Sequence, residues 1–119
     1  MKLFVASSYL NKPEARAVMG ILKKAGHEIT FDWTKPEKIQ TVAQRARKAE
    51  RDEQGVTEAE RLVVVWPGRV GTATEIGIAL GQGKKIHILG SPDLPNIYWD
   101  HPRVSFVSSV ADLLDELGE

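Results

Sequence analysis

The chain contains no cysteine. That absence removes a disulfide framework, a thiolate nucleophile and any cysteine-based metal site, and it fits a cytoplasmic setting. Apolar runs long enough to cross a bilayer are also missing, so no membrane partner is expected. Charge of one sign is not in excess. Sixteen basic and sixteen acidic residues cancel, which leaves no overall field to draw in a nucleic-acid polymer or an anionic membrane. Met1-Lys2 leads straight into the apolar Leu3-Phe4-Val5-Ala6 with no cleavage site, so the start reads as a strand and not as a signal peptide. His27, His87 and His101 fall on different elements without ligand spacing, so no metal is expected. No cofactor motif is present either. No repeat, linker or low-complexity stretch divides the chain, and residues 1–119 read as one domain.

What is present is an alternation of strands and helices. Lys2–Ala6, Leu62–Val65, Lys85–Gly90 and Val104–Val107 are short runs rich in β-branched residues. Ile29, Phe31 and Trp33 alternate with Glu28, Thr30 and Asp32, the pattern of a half-exposed edge strand. Ala15, Val18, Ile21, Leu22 and Ala25 space a helical stripe that opens on Lys12-Pro13-Glu14 and closes at Gly26. A second helix is expected from Thr34-Lys35-Pro36-Glu37, with Ile39, Val42, Ala43 and Ala46 on one face and a break at Gly55. Thr57-Glu58-Ala59-Glu60 would form a short turn before the next strand. A third helix should begin near Thr72 after a tight turn at Gly71, and a fourth covers Val110–Leu117. This is an α/β, doubly wound, flavodoxin/Rossmann-like three-layer sandwich with a five-stranded parallel sheet in the order 2-1-3-4-5. The switch point lies between the first and third strands, where Ser7–Asn11 and Trp66–Gly71 meet.

Those loops carry the chemistry. Gly68-Arg69-Val70-Gly71-Thr72 feeds a helix N-terminus, where free N–H groups attract an anion; Thr72, Thr74 and Arg69 would add hydrogen bonds. The spacing matches neither a dinucleotide fingerprint nor a P-loop. Ser7, Ser8 and Tyr9 offer hydroxyls from the facing loop, or serve simply as turn residues. Glu75 has two readings. Thr72-Ala73-Thr74-Glu75 has capping-box spacing, as do Thr34–Glu37 and Thr57–Glu60. Only this one lies at the switch point, where a carboxylate is placed to attack an electrophilic sugar carbon. Asp52 is a second acid, in a charged run that reads equally well as a solvated helix face. Tyr98 and Trp99 read as cover for the core or as a stacking surface for a base.

Three pieces resemble the nucleoside 2-deoxyribosyltransferases and the related nucleoside 5′-monophosphate N-glycosidases: the opening strand and Ser7-Ser8; Asp52-x-x-Gly55-Val56; and Gly71-Thr72-Ala73-Thr74-Glu75-Ile76-Gly77-Ile78-Ala79 followed by Gly83-Lys84. The resemblance implies that Glu75 attacks C1′ of the sugar, that Asp52 assists the departing base, and that Ser7 and Ser8 line the sugar or phosphate. It also implies a homodimer or larger homo-oligomer, with a neighbour's late residues completing the pocket; Asn96, Tyr98 and Ser108 are the candidates. Six residues before the nucleophile, where the transferases often carry an Asp, this chain has Arg69, which suits a 5′-monophosphate. The expected function is therefore N-glycosidic cleavage of a nucleoside or its monophosphate, by hydrolysis or base transfer. A non-catalytic nucleotide-binding module and an NAD-glycohydrolase-like domain are the alternatives.

Overall fold

The structure, a computed structural model, describes residues 1–118. Five strands, β1 (Lys2–Ala6), β2 (Glu28–Ile29), β3 (Arg61–Val65), β4 (Lys85–Leu89) and β5 (Val104–Val107), pair in parallel in the order β2-β1-β3-β4-β5. Four helices connect and close them: α1 (Lys12–Lys24), α2 (Val42–Glu58), α3 (Val70–Gly81) and α4 (Val110–Leu117). Phe4 lies opposite Leu62, and Leu62 opposite Ile86, so the central strands form one apolar slab with no exposed face. Each such side chain withdrawn from water contributes about 1.5–3 kcal/mol. Direction along the sheet reverses after β2. With right-handed crossovers, that reversal sets α1 on one face and α2 and α3 on the other. Among the described residues no helix is long and apolar enough to cross a membrane.

Helix ends follow local chemistry. Lys23 and Lys24 sit in the last turn of α1, and Gly26 takes φ +96° just beyond it. The ammonium of Lys84 donates to the carbonyls of Val56 and Thr57, both at 2.6 Å, and so satisfies the C-terminus of α2. The Gly83-Lys84 pair in the resembled motif thus has a structural duty here.

Four expectations about boundaries are corrected. No helix starts at Thr34: its hydroxyl and N–H both bond to Asp32, Arg16 donates to it, and the residue is fully buried. α2 starts instead after Thr41, which forms a capping box with Gln44. Val42, assigned to an apolar face, is exposed. Gly55 does not break α2; the helix runs through it to Glu58, at a point where a Cβ would come within 2.9 Å of the Phe4 ring and 3.0 Å of Phe31 Cβ. Thr57 and Glu58 are therefore helical. The edge strand is only two residues long, since Trp33 turns inward and donates from Nε1 to the Val5 carbonyl at 2.6 Å. Finally, α3 begins at Val70, so Gly71 lies within the helix and makes no tight turn.

Candidate active site

The carboxyl ends of β1 and β3 are tied together before any ligand is considered. The N–H of Ser8 donates to the Pro67 carbonyl at 3.1 Å, and the Ser7 hydroxyl donates to the Val65 carbonyl at 2.6 Å. Asn11 in turn donates to Ser7 Oγ at 2.9 Å. Ser7 therefore lines the crevice while its proton is committed to the scaffold. Between these loops and α2 lies a pocket of about 260 Å³, bounded by Ser7, Ser8 and Tyr9 on one side and by Arg69, Gly71 and Thr72 on another.

Two carboxyl groups face this pocket. Glu75 comes from α3 and Asp52 from α2, two helices packed on each other. Glu75 lies in the second turn of α3, too far along to cap it, and Thr72 is inside the helix. The capping reading of Glu75 therefore fails. Burial, reinforced by the charge of Asp52, pushes the Glu75 carboxyl up to about 8, and Lys48 opposes part of that rise. Glu75 thus tends toward a neutral acid. Asp52 is paired with Lys48, whose Nζ lies 3.0 and 3.3 Å from its two carboxyl oxygens.

The start of α3 forms the anion-seeking end. Arg69 is its N-cap residue and is exposed at the pocket edge. Thr72 is 3% exposed, and its buried hydroxyl has no hydrogen-bond partner among the described residues. Gly68 is not itself a wall: a Cβ there would meet Thr72 Cγ2 at 2.7 Å, so its smallness lets Thr72 sit where it does. Thr74 does not join this group. Its hydroxyl is spent on the Val70 carbonyl.

Two lining residues escaped the sequence reading, Lys48 and Trp33. Lys48 was findable, being i−4 to Asp52 on a helix, a pairing distance for opposite charges. Trp33 was hidden by its alternation with polar neighbours, which implied an edge strand. Asn96 and Tyr98 lie in a separate 3-10 turn, Ile97–Asp100, where Asn96 caps the Tyr98 N–H. Trp99 packs edge-on between Trp66 and Phe106, the cover role.

With this geometry in view, comparison with known proteins gives a consistent result. Neither a protein-family model nor a curated protein matches the sequence. Solved structures match the fold over nearly the whole chain, two of them as follows. One is the CMP N-glycosidase BcmB of Clostridium botulinum, at 20% identity and a TM-score of 0.64, covering 99% of this chain and 98% of that one. The other is a 2-deoxyribosyltransferase of Bacillus psychrosaccharolyticus, at 17% identity and a TM-score of 0.75, covering 95% of this chain and 90% of that one. The fold is shared. Both neighbours are of the kind that the sequence resembles.

Proposed function

We propose that this protein cleaves the N-glycosidic bond of a nucleoside 5′-monophosphate, or of the corresponding nucleoside, by hydrolysis or base transfer. One observation carries the reading: two carboxyl groups, Glu75 from α3 and Asp52 from α2, face one pocket at the switch point of the sheet, and burial raises the proton affinity of Glu75. An acid–carboxylate pair is what glycosidic cleavage requires, one group to protonate the leaving group and one to meet the oxocarbenium-like carbon. In this scheme the proton resting on Glu75 passes to solvent before substrate closes the pocket, which ionises the nucleophile, and Asp52 relays a solvent proton to the departing base. Glu75 then attacks C1′, the C1′–N electron pair leaves with the base, and Asp52 supplies the proton to that nitrogen. Water or a second base next attacks C1′, the C1′–Glu75 ester bond breaks to free the carboxylate, and Asp52 takes up the proton that the attacking group loses.

The phosphate preference rests on the start of α3. The first N–H groups of α3 are free of helix partners there, and Arg69 and Thr72 both line the pocket. Glu75 follows Thr72 by three residues and Gly71 by four, a rise of about 4.5–6 Å along a helix. That separation is comparable to the span from a 5′-phosphate to C1′. The resemblance further carries a homo-oligomer, and its late-chain residues would have to come from a neighbouring copy, since Asn96 and Tyr98 lie outside this pocket.

The test is free-base release from dCMP, dAMP and the matching nucleosides, followed by chromatography. Wild type should release base, monophosphates should react better than nucleosides, and Glu75→Ala should be inactive but folded. Ligand-dependent stabilisation without base release would favour a binding module, and nicotinamide release from NAD would favour the glycohydrolase reading.

A further inference from the structure

Lys48 has no part in the resemblance and no duty in the reaction as drawn above, yet it stands at the centre of the acid pair. It lies one helical turn before Asp52 on α2, and its ammonium reaches both carboxylate oxygens. The ion pair is well shielded, with the two side chains 17% and 24% exposed. Phe31 flanks it, with Lys48 Nζ 5.9 Å from the ring centroid. Lys48 and Asp52 both border the pocket that Glu75 enters from α3. Among the described residues no hydrogen bond acts on the Glu75 carboxyl; burial and the opposed charges of Asp52 and Lys48 set its state. The other charged or titratable groups on this pocket are Arg69, at the start of α3, and Tyr9, from the turn after β1.

A lysine that served stability alone would be wasted here, because an i,i+4 ion pair contributes little to folding. We propose that Lys48 is a positioning residue: it fixes the Asp52 carboxylate toward the pocket and supplies the positive charge that lets Glu75 ionise for attack. Two opposing influences then meet at Glu75. Burial, reinforced by Asp52, holds the proton on it, and Lys48 limits how firmly the proton is held. Removing Lys48 leaves two carboxyl groups facing each other with their cation gone, and the reactive ionised form of Glu75 becomes scarcer at neutral pH.

The kinetic consequence rests on the glycosidic reading; the electrostatic one does not. The experiment therefore has two arms, applied to wild type, Lys48→Met and Lys48→Arg. In the first, the side-chain carboxyl of Glu75 is titrated by carbon NMR. Its midpoint, about 8 in the wild type, should rise by about one unit in Lys48→Met and return in Lys48→Arg. In the second, base release is followed against pH. The rising limb should move by the same amount, costing about tenfold at pH 7 and recovering at higher pH. A purely structural lysine would lower the rate equally at every pH and leave the midpoint in place. An unmoved midpoint in Lys48→Met overturns the proposal. A wild type that releases no base from any nucleotide overturns the glycosidic reading, and the NMR arm still judges Lys48.

Discussion

Replacing Glu75 by Gln should abolish base release and, at the same time, stabilise the protein. The second effect follows from proton linkage. Glu75 titrates near 4.5 when unfolded and near 8 in the folded chain. Between those values the native state holds a proton that the unfolded state does not, so stability falls as pH rises through that window and levels off above it. Gln cannot ionise, so the variant escapes the slope. At pH 7 the gap from 4.5 is 2.5 units, which sets a ceiling of about 3 kcal/mol. The carboxyl keeps some contact with solvent through the pocket, and an observed gain of about 1–3 kcal/mol at pH 7, or several degrees in Tm, is expected. Near pH 4 the gain should vanish. Urea unfolding followed by tryptophan fluorescence at pH 4, 5.5, 7 and 8 measures it directly. A Glu75→Gln curve that runs parallel to wild type across this range would refute the reasoning.

Other expectations are local. Arg69→Ala should raise KM for monophosphates roughly ten- to a hundredfold while barely touching nucleosides, the range set by one lost charged hydrogen bond of about 1.5–3 kcal/mol. Gly55→Ala places a methyl 2.9 Å from Phe4 Cδ2 and 3.0 Å from Phe31 Cβ. Overpacking of that kind should cost about 1–3 kcal/mol in denaturant unfolding. Thr41→Ala removes the cap of α2 and should cost about 1 kcal/mol by the same assay, with activity retained because the pocket does not use Thr41.

Strands and their order were legible because their signals are redundant. The run Leu62-Val63-Val64-Val65 has no polar residue to alternate with, and only a strand covered on both faces accommodates that. Placing the site at the switch point needed only the order of strands. Ser7, Ser8, Tyr9, Arg69 and Gly71 of those two loops line one pocket with Thr72 and Glu75, whereas Asp52, on α2, was reached through the resemblance and not through strand order. Failures arose wherever a spacing rule competed with tertiary contacts that no spacing reveals. Three T-x-x-E segments had the right interval for a capping box, but Thr34 is claimed by Asp32 and Arg16, and Thr57 accepts a hydrogen bond from Gln82 near the end of α2. Thr72 is enclosed within α3. The box that forms uses Gln44, an equally good partner that acidic spacing overlooks. Gly55 read as a breaker because glycine is costly within a helix, and the Phe4 ring and Phe31 Cβ that leave no room for a larger residue come from distant parts of the chain.

The claim on which all of this turns is that Glu75 bonds to the sugar. It can be tested by mass analysis of the protein after incubation with a 2′-fluorinated arabinosyl nucleotide. The fluorine disfavours the oxocarbenium-like transition state and slows breakdown of a glycosyl-enzyme. Peptide mapping should find one glycosyl mass on the segment containing Glu75, with loss of the adduct in Glu75→Gln. Turnover of the probe with Glu75 unmodified and the adduct on another residue would contradict the account.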